Sequence, residues 1–354
     1  MTNMEKVRVT ASKEYNVHIG SGFLDSVGEM LAEFKRPCRV VIVSDDNVYS
    51  FYGERVKASL EKSGFTAFEY IVPHGENSKS AENFIKIQEF CAENNITRTD
   101  LFVALGGGVV GDLTGFVAST YLRGVDFVQI PTTVLAMVDS SVGGKTAINL
   151  GAGKNLCGAF HQPIVVFADC KTLDTLPEET FNEGCAEIIK YGMILDGEFL
   201  SFLKDNDIRE NIEYVIKRCV EIKRDIVDRD EFEKGERKLL NFGHTIGHAI
   251  EKCSDYKISH GKAVAMGMVI ATKGAFELGL SYDDYSDELL PILKKNNLPT
   301  ACDFSADELY KVTLTDKKRS RDVISLIVPE EYGLCKIHKI NIDQLKDFIE
   351  SGLN

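Results

Sequence analysis

Apolar residues alternate with polar ones at Val7, Val9 and Ala11 and again at Tyr15, Val17 and Ile19. That two-residue period predicts a pair of strands with one buried face. Residues 39–44 (RVVIVS) form a short apolar run that closes on Asp45-Asp46-Asn47. Residues 101–105 (LFVAL) form another that closes on Gly106-Gly107-Gly108. Runs this short and this apolar read as strands covered on both faces. Between them lie an amphipathic stretch at 52–63, a strand at 67–72 and a helical pattern at 80–93; a further helical run follows at 113–118. Strand, helix, strand, helix, strand and glycine loop in that order predict a parallel sheet with helices on its faces.

The period changes beyond residue 176. Stretches 186–203, 208–227, 237–252 and 262–278 repeat apolar positions at helical spacing, and only 323–328 and 335–340 read as late strands. The expected plan is an α/β domain over residues 1–174, with a parallel, Rossmann-like sheet, and a mainly α-helical domain over 175–354. A chain of 354 residues suits two such cores.

Charge narrows the class of ligand. The formal net charge is −13, which argues against non-specific nucleic-acid binding and against a polybasic membrane surface. Any anionic ligand must therefore meet a local cluster of cations. Nine cysteines, an odd number with no CxxC pair, read as reduced thiols in the cytoplasm. No stretch approaches the roughly 20 uncharged apolar residues of a membrane span, and residues 1–10 lack the apolar core of a signal peptide.

Three groups of residues suggest chemistry. Gly106, Gly108 and Gly111 form GxGxxG between a strand and a helix, where bare backbone can approach a pyrophosphate at a helix N-terminus. Asp45 stands upstream as a candidate acceptor for ribose hydroxyls. Gly143-Gly144-Lys145 and Gly153-Lys154-Asn155 bracket an expected loop which, with Arg123 and Lys190, offers cations beside flexible backbone. His244 and His248 are four residues apart, on one face of a helix, and His260 follows; three of the seven histidines thus fall within seventeen positions. Glu187 can complete a set of Glu and His donors, a type that suits zinc with an open coordination position. The residues alone leave all four as possible ligands.

Seven segments together carry a resemblance: 73–79 (PHGENSK), 106–124, 131–155, 184–192, 237–251, 260–268 and Asp316-Lys317-Lys318. Over almost its whole length the chain resembles the 3-dehydroquinate synthase family of sugar-phosphate cyclases. The resemblance implies one Zn²⁺ (Co²⁺ a possible substitute) and one NAD⁺ in a cleft between two domains. It implies Glu187, His244 and His260 as metal ligands, with His248 beside the metal and acting on substrate. It implies NAD⁺ along Asp45, Asn47, Glu76, Lys79, Gly107, Gly108, Val109, Asp112, Thr132, Thr133, Thr175 and Leu176, with Lys145 and Lys154 also near the cofactor. The substrate, 3-deoxy-D-arabino-heptulosonate 7-phosphate, would meet Asp139, Lys145, Asn155, Lys190, Lys223, Arg237, Asn241 and His248. Arg123 would reach a phosphate in the neighbouring subunit of a homodimer, and one of Lys317 and Lys318 would approach the same end of the substrate. Three positions depart from the usual pattern: Lys262 where the family usually has Glu, Met137 where Gln is common, and Cys157 in place of an aliphatic residue. Rival expectations are a related cyclase of the 2-deoxy-scyllo-inosose synthase kind and a metal-dependent polyol dehydrogenase.

Overall fold

The computed structural model describes residues 4–317 and 323–354. Contacts group Met1–Leu176 with Ile216–Phe232 as one compact unit and Pro177–Val215 with Glu233–Asn354 as another. The segment 216–232 thus falls with the first unit, although it lies beyond the single 174/175 division expected from periodicity.

The first unit is built on strands β1 (Glu5–Thr10), β2 (Glu14–Gly20), β3 (Arg39–Asp45), β4 (Thr66–Val72), β5 (Leu101–Gly106), β6 (Asp126–Pro131) and β9 (Val165–Asp169). Their order across the sheet is β1-β2-β9-β6-β5-β3-β4. Only β1 and β2 pair antiparallel, with Val7 opposite Val17, as the alternation in both segments requires. The other pairs are parallel. Both faces are covered. Val40, Ile42, Val103 and Leu105 pack on one side with Val27 and Leu31 of α1 (Val27–Ala32) and Val56 and Leu60 of α2 (Asp46–Lys62). Val41, Val43, Phe102 and Ala104 pack on the other with Ile87 of α3 (Ala81–Glu93) and Val110, Leu113 and Val117 of α4 (Gly108–Thr120). Successive strand residues serve opposite cores, which is why these strands are apolar throughout.

Two helices start earlier than periodicity suggested. Helix α2 begins at Asp46, because the Asp45 carboxylate accepts a hydrogen bond from the Val48 amide at 2.8 Å and caps the first turn. Helix α4 begins inside the glycine run, where residues without side chains leave no hydrophobic period to read. The expected loop between Lys145 and Lys154 is instead an antiparallel hairpin of β7 (Lys145–Leu150) and β8 (Gly153–Phe160), with Ile148 opposite Cys157. Most of β8 is exposed, so it lacks the apolar alternation that marks a strand.

The second unit contains α5 (Glu178–Leu195), α6 (Gly197–Asp205), α8 (His244–Cys253), α9 (His260–Glu277), α10 (Ser286–Lys295), α11 (Ala306–Lys317) and α12 (Leu345–Leu353), with the hairpin β10 (Val323–Glu331) and β11 (Leu334–Asn341). Helix α7 (Ile212–Arg229) is shared in sequence between the two units. The expected single helix over 186–203 is two helices. They break at Asp196, whose side chain accepts from the Phe199 amide at 2.9 Å and caps α6. The expected helix over 237–252 likewise begins with a 3₁₀ turn, Glu236–Asn241, before Gly243 turns into α8 at φ 76°. Among the described residues, no helix is long and apolar enough to cross a membrane.

Candidate functional site

Three helices of the second unit bring one donor each to a common point. Their approach depends on glycine. A Cβ on Gly267 of α9 would lie 2.1 Å from the Gly243 carbonyl oxygen, and one on Gly261 would lie 2.2 Å from that of Glu183 in α5. Only bare backbone allows such contact. The start of α8 thereby lies against the second turn of α9, and α9 starts close to α5.

Glu187 of α5 is fully buried. Its Oε1 lies 3.3 Å from His244 Nε2 and 3.5 Å from His260 Nε2, and one donor atom from each residue lies within 4.8 Å of the others. The other carboxylate oxygen is paired with Lys190, one turn along α5 and itself buried. Burial alone would raise the Glu187 carboxyl, but Lys190 and the imidazoles hold it well below the ordinary range.

The His244 ring is oriented by a hydrogen bond from Nδ1 to the Phe242 carbonyl, at 3.0 Å. That fixes the tautomer and turns the Nε2 lone pair toward the Glu187 oxygen. An acceptor facing an acceptor in a buried place calls for a cation between them. His260 behaves accordingly. Burial would lower its pKa, but the carboxylates of Glu187 and Glu251 outweigh this and hold it up at about 10. The donor set fits a divalent ion of the zinc type.

His248, exposed and one turn beyond His244, joins a second group of donors with Glu251 and His260, also within 4.8 Å of one another. Spacing along the sequence singled out the three histidines but passed over Glu251. Its signal was its place on α8, seven residues after His244 and so on the same helical face. Arg237 is almost fully buried in the 3₁₀ turn ahead of α8. Asn241 closes that turn and donates from its side-chain amide to Glu233 at 2.7 Å. Lys262 forms an ion pair with Glu179.

In the first unit the sheet reverses its order of growth between β3 and β5, since β4 lies on one side of β3 and β5 and β6 on the other. Ligands of parallel sheets bind beyond the carboxyl ends of strands at such a point. Asp45 ends β3 and the glycine loop follows β5, so both candidate elements flank this crevice. A Cβ on Gly107 would come within 3.1 Å of Thr133 Cγ2, and one on Gly108 within 3.1 Å of Ser140 Oγ. The buried Thr132 hydroxyl, next to these glycines, has no hydrogen-bond partner among the described residues. A free helix N-terminus, bare backbone and an orphaned hydroxyl fit the pyrophosphate of a dinucleotide.

Several other candidates of the first unit are linked to one another. Lys79, nearly fully buried, pairs with Asp112 and donates to the Asn155 side chain. Burial pushes the Asp112 carboxyl up against the opposing pull of Lys79. Glu76 accepts from Asn149 at 2.6 Å, and Asn149 in turn accepts from the Asn155 amide at 2.9 Å. Thr175 Oγ1 lies 2.6 Å from Tyr52 Oη. Asp139 sits on a π-helical turn, Ala136–Ser140, and pairs with Lys223; π turns often mark functional positions.

Asn47 and the first turn of α4, with Val109, are open to solvent or partly so, and Leu176 follows the short turn that carries Thr175. Lys145 and Lys154 stand exposed on facing strands of the β7/β8 hairpin. Arg123 is exposed on a turn in the left-handed region, φ 67°. Met137 is buried in the π-helical turn and Cys157 is half-buried on β8. Lys317 ends α11, while Lys318 lies outside the described residues.

Residues 69–183 match the family description 3-dehydroquinate synthase N-terminal, and residues 184–319 match 3-dehydroquinate synthase C-terminal. The chain is 42% identical over 332 residues to a 3-dehydroquinate synthase of Clostridium acetobutylicum, covering 92% of this chain and 93% of that one. It is 43% identical over 357 residues to a 3-dehydroquinate synthase of Enterococcus faecalis, covering 98% and 100%. Its structure is similar to that of a 2-deoxy-scyllo-inosose synthase complexed with carbaglucose-6-phosphate, NAD⁺ and Co²⁺. That likeness has a TM-score of 0.88 and 26% identity over 99% of this chain and 100% of the other.

Proposed function

The chain belongs to the 3-dehydroquinate synthase family, and on that footing we propose that it converts 3-deoxy-D-arabino-heptulosonate 7-phosphate into 3-dehydroquinate and inorganic phosphate. It is a phosphate-eliminating cyclase of the shikimate pathway, with NAD⁺ and one divalent metal ion, zinc, as its cofactors. The observation that carries this reading is the convergence of Glu187, His244 and His260 beside a buried lysine.

Glu187, His244 and His260 hold the metal. The backbone at Gly107, Gly108 and Val109, with Thr132, Thr133, Asp45, Asn47, Glu76, Lys79, Asp112, Thr175 and Leu176, holds the dinucleotide in the first unit. When bound, the metal supplies Lewis acidity at substrate hydroxyls and NAD⁺ supplies a reversible hydride acceptor. The chain's own residues do the rest. Lys145, Lys154, Lys190, Lys223 and Arg237 neutralise the substrate's carboxylate and phosphate, and with the hydrogen-bonding amide of Asn155 they fix its conformer, a contribution of positioning. Asp139 orients Lys223 through their ion pair. His248 holds and passes protons at the hydroxyls while Asn241 polarises them by hydrogen bonding, a role for His248 that its exposure next to the donor cluster supports.

The reaction so proposed would be a transient oxidation that acidifies the neighbouring C–H for loss of phosphate, then reduction, ring opening and aldol closure, with no net redox change. A homodimer in which Arg123 serves a neighbouring subunit is part of the same reading, supported by the exposure of that side chain on a strained turn. Nine cysteines without a disulfide support the cytoplasm as its compartment.

The test is phosphate release from the heptulosonate phosphate, with 3-dehydroquinate identified as product. Release should stop with chelator, return with Zn²⁺ or Co²⁺, and proceed without net NADH. Turnover of glucose 6-phosphate or sedoheptulose 7-phosphate in its place would reassign the enzyme to a related cyclase. Accumulating NADH would make it a dehydrogenase.

A further inference from the structure

We propose that Glu251 is a positioning residue of the metal site, acting through His260. The inference rests on the assignment of the metal to Glu187, His244 and His260. Glu251 is buried on α8, and its Oε2 lies 3.3 Å from His260 Nδ1. On the opposite edge of the same ring, Nε2 lies 3.5 Å from Glu187 Oε1.

An imidazole presents its two nitrogens in different directions, so what holds one decides what the other can do. A carboxylate at Nδ1 selects the Nδ1–H tautomer and leaves the Nε2 lone pair for a metal. It also makes that nitrogen a stronger donor. His244 receives the equivalent support from the neutral carbonyl of Phe242. The two imidazoles are therefore oriented by partners of different charge, and His260 is the ligand whose basicity depends on a carboxylate. That asymmetry explains why an acid is kept in the interior at this point, where an unpaired charge would be costly.

The competing arrangement makes Glu251 a direct ligand, together with His248 and His260, since those donors also converge. It would leave His244 Nε2 turned toward a carboxylate with nothing between them. The geometry of His244 is the reason for preferring Glu251 as support.

The experiment is a competition titration of Zn²⁺ against a chromophoric chelator on Glu251→Gln, Glu251→Ala, His244→Ala and His248→Ala. NAD⁺ affinity and metal-free thermal unfolding are measured on the same samples. Glu251→Ala should weaken zinc by roughly 10–100-fold with NAD⁺ affinity unchanged. Glu251→Gln, which keeps an acceptor oxygen and loses the charge, should weaken it less. His248→Ala should leave zinc affinity near that of the parent, and His244→Ala should remove it. Parental zinc affinity in Glu251→Gln and Glu251→Ala, with loss in His244→Ala, would overturn the role of Glu251 alone. Retained binding in His244→Ala with loss in His248→Ala would instead overturn the donor assignment, and Glu251 would be a ligand. Should Glu251→Ala not fold, the glutamine variant decides: weakened zinc supports the proposal and unchanged zinc rejects it.

Discussion

Asp45 shows how much one side chain can be asked to do. One carboxylate oxygen caps α2 through the Val48 amide, while burial pushes the acid up from its ordinary range. The proposed dinucleotide reading asks the same carboxylate to accept ribose hydroxyls. The two roles separate by substitution. Asp45→Ala should cost about 1 kcal/mol of stability through the lost cap and weaken NAD⁺ as well. Asp45→Asn keeps a capping oxygen, so its unfolding midpoint should match the parent while NAD⁺ affinity still falls. Equal melting in both variants would show that the cap contributes nothing. Residue identity alone pointed to Asp45, because an acid at the end of an apolar run is conspicuous. It could not reveal that the side chain is already partly committed to its own helix.

At the scale of elements, the proposed metal donors are only as well placed as the contacts between α5, α8 and α9. Gly261 adjoins His260, and the Glu183 carbonyl oxygen lies 2.2 Å from the place a Cβ would occupy. Backbone cannot give way as a flexible side chain can. Gly261→Ala should therefore destabilise the protein by about 1–3 kcal/mol and weaken zinc in the same variant, measured by chemical unfolding and chelator competition. Loss of stability with parental zinc affinity would mean that α9 moves as a whole without shifting His260. The buried strands 39–44 and 101–105 were plain in the sequence because both of their faces are apolar. The β7/β8 hairpin was not, because β8 is exposed and its pairing partner, not its own pattern, makes it a strand. The break at Asp196 escaped notice for a related reason: apolar spacing continues across it, and only the cap onto Phe199 marks a new helix.

At the scale of the whole molecule, a chain with a net charge of −13 depends on where its 41 lysines and arginines are placed against 54 acids. Asp126 of β6 joins Lys13 at 2.6 Å and Lys35 at 2.9 Å, tying the β1–β2 turn and the segment after α1 to the sheet. Burial alone would raise the Asp126 carboxyl, but the two ammonium groups overcome this and hold it below its ordinary range. A carboxyl lowered on folding stabilises above its unfolded pKa, and that stabilisation is lost as pH falls through the folded value. Asp126→Asn should therefore lower stability at neutral pH by about 1 kcal/mol or less, given partial solvent screening. The difference from the parent should vanish in unfolding curves taken well below about pH 4. A gap that persists in acid would point to lost packing.

The amino-acid sequence by itself determined the kinds of element, their order and the kinds of donor, because periods of two and 3.6 residues and clusters of His, Lys and Gly are local properties. It could not decide how the three histidines divide between metal and substrate, since spacing of four residues on a helix suits either use. The tertiary structure brings a carboxylate from α5 to two imidazoles, and their ring orientations follow from the Phe242 carbonyl and the Glu251 carboxylate. Those orientations arise only when distant backbones meet at glycines, and that meeting has no signature in any local stretch of the chain.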